Sequence, residues 1–178
     1  TSMVIAREYE NGTMETIRSL PVQAADFFLG KAIPYFVITL ADVLVAILMG
    51  QMLFGVVMKA SFWLMILAST IYILVALGIG LLISVKTQSQ LVANQLAVLV
   101  TYLPSLLLSD FVFPQQNMPV PLQAVSKLVP ATYYIDILNG LYLRDLAFGQ
   151  LWPSFLMLAL MAILIGGLNI RALKREGL

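Results

Sequence analysis

Residues 62–85 read F-W-L-M-I-L-A-S-T-I-Y-I-L-V-A-L-G-I-G-L-L-I-S-V, without one charged side chain. A helix of about 20 apolar residues crosses the roughly 30 Å hydrocarbon core of a bilayer. This run is therefore long enough to span a membrane. Working outward from it, three further runs have the same character, at residues 32–54, 91–113 and 151–170. Short polar breaks separate the first three, at residues 55–61 and at Lys86-Thr87-Gln88-Ser89-Gln90. The fold class that follows is an all-α integral membrane protein with four transmembrane helices, and spans one and two form a tight hairpin.

Composition agrees. Of 178 residues, 61% are hydrophobic and 11% are charged, and the mean hydropathy is +0.95. A soluble domain carries about 25% charged residues. The chain has no cysteine and no histidine. That excludes thiolate nucleophiles, histidine triads, Cys/His zinc sites and CxxC redox pairs. No two acids stand at a spacing that suggests an all-carboxylate metal site. No GxxxxGK[ST] loop exists to cradle a phosphate, since Gly30-Lys31 lacks both the upstream glycine and the following Ser/Thr. The chain is expected not to be an enzyme, and to carry no cofactor of its own.

Four spans place both ends of the chain on one side. That side carries Arg7, Arg18, Lys31, Lys86, Arg171, Lys174 and Arg175; the other carries Lys59, Lys127 and Arg144. The positive-inside rule makes the first side cytoplasmic, with residues 171–178 as a cytoplasmic tail. Trp63 and Trp152 fit an interfacial aromatic belt. The chain begins Thr1-Ser2-Met3, and its mixed polar start leads into a span with no earlier anchor. It reads as the C-terminal piece of a longer protein.

Two segments are not simple spans. In residues 7–31, Asn11-Gly12 signals a turn. Thr13 can cap a helix whose first turn holds Glu15, where the helix dipole favours an anion. Met14, Ile17 and Leu20 then fall on one face, Glu15, Thr16, Arg18 and Ser19 on the other, and Pro21 ends the helix. Two turns of helix are marginal alone. The stripe therefore docks either into a partner's groove or flat onto the lipid interface. Residues 114–150 are too long for a turn and are broken by Pro114, Pro119, Pro121 and Pro130. Helical stretches at about 121–128 and 131–143 look like short amphipathic helices that enter the outer leaflet and turn back. Non-helical backbone at that depth must be covered by protein or a water-filled cavity, which suggests an outer cavity or gate. A lid that only packs is the other reading.

Asp42 is the charge near the middle of a span. An acid there costs about 2.5–3.5 kcal/mol, so it faces a partner or water. Thr39, one turn earlier, is placed to hydrogen-bond it, and Tyr35 lies on the same broad face. Either Asp42 faces a cavity and meets a cationic substrate or a proton, or it is a neutral helix-packing residue. Gly78 and Gly80, with Ala76, suit close helix packing.

In order and spacing, these segments resemble the ABC type-2 export permeases, closest to their bacterial multidrug-type branch. Arg7-Glu8-Tyr9-Glu10-Asn11-Gly12-Thr13-Met14-Glu15 is similar to that family's R-E-x-E-x-G-T-x-E signature. The likeness continues through Leu20-Pro21-Val22 and Gly30-Lys31-Ala32-Ile33-Pro34-Tyr35. A second block, Phe111-Val112-Phe113-Pro114, Asn117-Met118-Pro119 and Leu128-Val129-Pro130-Ala131-Thr132-Tyr133-Tyr134, resembles the stretch before the family's last span.

The resemblance implies spans three to six of a six-span permease in a bacterial inner membrane, without its first two spans and the external domain between them. It implies a cytoplasmic coupling segment at residues 7–31 and a second permease copy or sister permease. A separate ABC ATP-binding subunit would bind ATP and magnesium. The family's exports imply a hydrophobic or amphipathic substrate, drug-like or lipid-like, and no nucleic acid. Its ATPase-coupling residues would be Glu8, Gly12, Thr13, Met14, Glu15, Ile17, Arg18, Leu20 and Pro21, with Met14, Ile17 and Leu20 in the ATPase groove and Glu8, Glu10, Glu15 and Arg18 at its rim. The substrate path would take Tyr35, Thr39 and Asp42, and the external gate Phe113, Pro114, Pro130, Tyr133 and Tyr134. The competing functions are a non-transporting membrane scaffold and an enzyme on lipid-linked substrates. For the enzyme, Asp136, Arg144 and Asp145 are the outer-face candidates, and they form no recognisable site.

Overall fold

A computed structural model describes residues 2–19, 23–55, 61–87, 89–110, 112, 117–144, 146 and 148–175. The run that starts at Phe62 is one unbroken helix, α4 (Phe62–Thr87). Before it come α1 (Val4–Glu10), α2 (Thr13–Arg18) and α3 (Ala24–Phe54). After it come α5 (Gln90–Ala97), a π-helical segment (Val98–Tyr102) and α6 (Leu103–Leu108) in one continuous rod. Two short helices, α7 (Val120–Ser126) and α8 (Pro130–Tyr142), precede the last helix, α9 (Phe148–Arg175). Among the described residues, four helical stretches are long and apolar enough to cross a membrane.

The boundaries differ from the expected ones for physical reasons. The first span was expected over residues 32–54, but its helix begins at Ala24. The extra turns carry Asp26 near the positive end of the helix dipole, and Phe27 and Ala32 pack into a core with Ile5 of α1. They are helix outside the apolar run, so hydropathy alone did not find them. The third span was expected over residues 91–113, but its helix stops at Leu108. Ser109 turns its hydroxyl back onto the Ser105 carbonyl, and Asp110 sits at φ 72°, a left-handed position that Asp tolerates better than most residues. The fourth, expected over residues 151–170, runs from Phe148 to Arg175. Lys174 and Arg175 lie in its last turn, where cations are favoured.

The π-helical segment ends two residues before Pro104. A proline ring inside an α-helix clashes with the carbonyl four residues back and removes one hydrogen bond. Widening the turn moves that carbonyl away, and π-bulges are one way a helix absorbs such a break.

α4 is the central strut. It packs against α1, α3, α5, α8 and α9. Its tightest neighbour is α9, because Gly78 lets the backbones close. A Cβ built at Gly78 would lie 2.6 Å from Ile165 Cγ2. Asn169, fully buried, donates its Nδ2 hydrogens to the Gly78 carbonyl (2.8 Å) and the Ile165 carbonyl (2.9 Å). Interhelical hydrogen bonds of this kind are worth about 0.6–2 kcal/mol in a membrane.

Two apolar cores form at opposite ends of this strut. Near the α1 end, Ile5, Phe27, Ala32, Leu81, Val85 and Leu173 pack together. At the far end, Met65, Ala68, Ile137, Leu141, Leu151 and Phe155 do so. α8 reaches into the bundle from the far end: its last turn places the Tyr142 hydroxyl on Met65 sulfur (3.3 Å), and Tyr134 meets Ser69 two turns into α4 (2.9 Å). The two short helices expected at about 121–128 and 131–143 are observed at Val120–Ser126 and Pro130–Tyr142.

Candidate functional site

The densest polar structure lies at the α1 end. α1 has seven residues, well short of the ~12–15 that a helix needs to persist alone. It is held by its neighbours. Its N-cap residue Met3 supplies no side-chain cap. Instead the Ser84 hydroxyl of α4 accepts the N–H of Ile5 (2.8 Å) and of Ala6 (2.8 Å). A helix leaves its first N–H groups unpaired, and here a residue 79 positions away supplies the cap.

From α1 two carboxylates reach onward. Glu8 Oε1 accepts a hydrogen bond from the Lys31 ammonium of α3 at 2.6 Å, and its other oxygen accepts from the Thr13 hydroxyl at the start of α2. Lys31 also stands 5.8 Å from the ring centre of Phe27. The Lys31 hydrogen bond, then that of Thr13, hold the Glu8 carboxyl below its ordinary 4.5, against a smaller opposing effect of burial. Glu10 Oε1 accepts the backbone N–H of Gln90 (2.8 Å), and Oε2 accepts from Gln90 Nε2 (2.6 Å). These Gln90 bonds, backbone first, pull the Glu10 carboxyl below 4.5. So α1 is bonded to α2, α3, α4 and α5. Gly12, at φ 71°, makes the left-handed turn between α1 and α2 that Asn11-Gly12 signalled.

Two residues of the expected docking stripe are covered within the chain. Met14 is 2% exposed, and Ile17 packs on the core that contains Ile5 and Leu173. Met14 is thus buried, and Ile17 turns towards an apolar core of the chain itself. The face of α2 that points away carries Thr13, Glu15 and Thr16, followed by Ser19. Glu8 and Glu10, expected as rim charges on a partner, are satisfied within the chain. Leu20 and Pro21 lie outside the described residues, as does the Arg18 side chain.

A second polar feature lies midway along the bundle. Tyr72 of α4 and Tyr134 of α8 stack with ring centres 4.4 Å apart and planes 2° from parallel. A cavity of about 320 Å³ opens beside them, lined by Tyr35, Thr39, Ser69, Tyr72 and Tyr134 among others. Two smaller cavities, of about 230 and 270 Å³, meet the same Tyr72 from the α5–α6 side. Tyr35 and Thr39 of the expected path are thus brought together with Tyr134 of the expected gate. Asp42 is exposed on α3 and is not one of the lining side chains. The Thr39 hydroxyl donates to the Tyr35 carbonyl (2.7 Å), not to Asp42, because the carbonyl one turn back is always within its reach. Pro130 starts α8, where a missing N–H costs nothing, and the Tyr133 hydroxyl donates to the Lys127 carbonyl (2.8 Å). Phe113 and Pro114 lie outside the described residues.

Ser84, Gln90, Ser69, Tyr72 and Asn169 were not singled out from the sequence. Each acts on a partner tens of residues away, and no local pattern marks such pairs. Among the described residues, no three carboxylates gather as a metal ion would need.

Residues 1–171 match the family described as ABC-2 family transporter protein. The chain is similar to the probable multidrug ABC transporter permease YbhS of Escherichia coli (strain K12), with 35% identity over 99% of this chain and 47% of that protein. It is similar to the probable multidrug ABC transporter permease YbhR of the same organism, with 30% identity over 99% of this chain and 48% of that protein. The inner membrane transport permease YhhJ, also of that strain, is 27% identical over 89% of this chain and 42% of its own length. The chain thus spans about half the length of the curated relatives it matches. No solved structure matches it.

Proposed function

The chain belongs to the ABC-2 family of transporter proteins, and from that premise we propose that it is the membrane part of an ATP-driven exporter. In this reading it moves hydrophobic or amphipathic molecules, drug-like or lipid-like, out across a bacterial inner membrane. The α1 end faces the cytoplasm, in keeping with the Lys and Arg side chains gathered there. A separate ATP-binding subunit, with ATP and magnesium, supplies the work, and a second permease copy or sister permease completes the pathway.

The observation that carries this reading is the α1 node. A motor outside the membrane can act on the spans only through something stiff that touches several of them. α1 and α2 are that element: a helix pair bonded to α3 through Lys31, to α4 through Ser84 and to α5 through Gln90. The ATP-binding subunit rests against the exposed face of α2, at Thr13, Glu15, Thr16 and Ser19. Polar and charged contacts of this kind give register more than affinity. Midway along the bundle, the Tyr72–Tyr134 stack stands where α8 meets α4, beside the cavity lined by Tyr35 and Thr39. Movement of α4 against α8 there changes how that cavity opens.

The test uses inside-out vesicles from cells that make the full-length protein with its ATP-binding subunit. ATP should drive uptake of a lipophilic cationic dye or a fluorescent phospholipid into the vesicle interior. Uptake should vanish when the Walker lysine of the subunit is replaced. Vesicles that move neither probe class nor any member of a wider amphiphile panel, with active ATPase present, would contradict the proposal.

A further inference from the structure

Two helices at the α1 end lack the caps their own sequences should provide. Met3 gives α1 no side-chain cap, and Ser89, in the N-cap position of α5, gives α5 none. Each is capped instead from another helix. Ser84 of α4 takes the first free N–H groups of α1. Glu10, the last residue of α1, takes the first N–H of α5 and the Gln90 side-chain amide together. A carboxylate at a helix N-terminus also meets the positive end of the helix dipole. The result is a polar chain that runs from α4 through α1 to α5.

The third span depends on this link more than the others do. In α5, Ala93 is the one buried residue; the π-helical segment and α6 have none. α4, by contrast, is buried along its length, and α9 is buried at both ends. Apolar packing therefore fixes α4 and α9 more firmly than the third span, whose α5 meets α4 and buries only Ala93. We propose that Glu10 is a positioning residue that ties the third span to the α1–α2 unit, so that displacement of that unit is delivered to α5. The π-helical segment and Pro104 lie further along the same rod, where a widened turn lets the lower part tilt without moving α6. The inference deepens the exporter reading and rests on it for its role in transport, but the link itself can be read without transport.

The experiment uses the full-length protein with its ATP-binding subunit in proteoliposomes, in a background without other cysteines. Spin labels are placed at Arg7→Cys and Gln95→Cys, both exposed positions, and the distance distribution is measured. Two variants cut the link from opposite sides. Glu10→Ala removes the acceptor. Gln90→Pro, made together with Ser89→Ala, removes the two Gln90 donors and the Ser89 hydroxyl that also bonds Glu10. Proline is well tolerated at the first position of a helix, and residue 89 is already in the extended conformation that precedes proline. Each should broaden the distribution at least twofold, their combination no further than either one. Glu10→Gln, which keeps an acceptor, should stay close to the parent. Transport per ATP hydrolysed should fall at least fivefold in Glu10→Ala and in the Gln90→Pro variant while hydrolysis persists. Unchanged distance distributions in either stably folded variant would overturn the link. Broadened distributions in the variants of a parent protein that moves no substrate would uphold the link and refute the exporter reading.

Discussion

Glu8 shows how one side chain at the α1 end depends on its charge. Its carboxyl is held below 4.5 by the Lys31 and Thr13 hydrogen bonds. A carboxyl lowered in the folded state stabilises that state above its ordinary value, and the contribution is lost as pH falls through the lowered value. The tie between α1 and α3 should therefore be constant from pH 7 to about 5 and weaken only below 4.5. Amide exchange of α1, corrected for the intrinsic pH dependence, should rise in that acid window, and Glu8→Gln should flatten the rise. Much of this region was legible in the sequence. Gly12 stood out because a turn is a local pattern, and Glu8 through the family resemblance. Thr13, expected as a cap, is instead the first residue of α2 and gives its hydroxyl to Glu8, while Gly12 takes the N-cap position. Ser84 and Gln90 did not stand out, because a cap supplied from 79 positions away leaves no mark in either sequence neighbourhood. Glu10 was seen, but as a contact for another protein.

Among the elements, the crossing of α4 and α9 makes the sharpest demand. Gly78→Ala would bring a methyl group to 2.6 Å from Ile165 Cγ2. Overpacking a tight contact costs about 1–3 kcal/mol. The variant should lower the unfolding temperature in detergent, and Gly78→Ala with Ile165→Ala should recover part of the loss. Of the small residues expected to suit close packing, Gly78 meets α9, while Ala76 is exposed and lines a cavity. Orientation was harder to read. The stripe Met14–Ile17 was visible from its spacing, but spacing says only that two residues share a face. Which surface they meet depends on the core built by Ile5, Leu81 and Leu173, residues spread over the whole chain. The span ends were missed as well. The first and last spans continue as helix beyond their apolar runs, whereas the third stops short of its run at Leu108.

At the scale of the whole molecule, two apolar cores at the ends of α4 and α9 leave α3 and the third span as peripheral rods with exposed apolar flanks. Asp42 lies exposed in the middle of α3, where lipid contact would cost about 2.5–3.5 kcal/mol. That face of α3 is therefore covered by protein or water in the membrane. If it borders the substrate path, Asp42→Asn should alter transport of cationic amphiphiles and its pH dependence while sparing neutral ones. Equal transport of both classes at every pH would make Asp42 a packing residue. In the proposed exporter, the α1–α2 unit receives the motion of an ATP-binding subunit through the outward face of α2. Single cysteines at Glu15, Thr16 and Ser19 of the full-length protein, each paired with cysteines along the groove of the co-expressed subunit, test it most directly. Crosslinks at these three positions, and none at Met14, are the predicted result. Crosslinking at Met14 but not at Thr16, or labelling of the whole outward face by a lipid-phase reagent with no crosslink to the subunit, would contradict it.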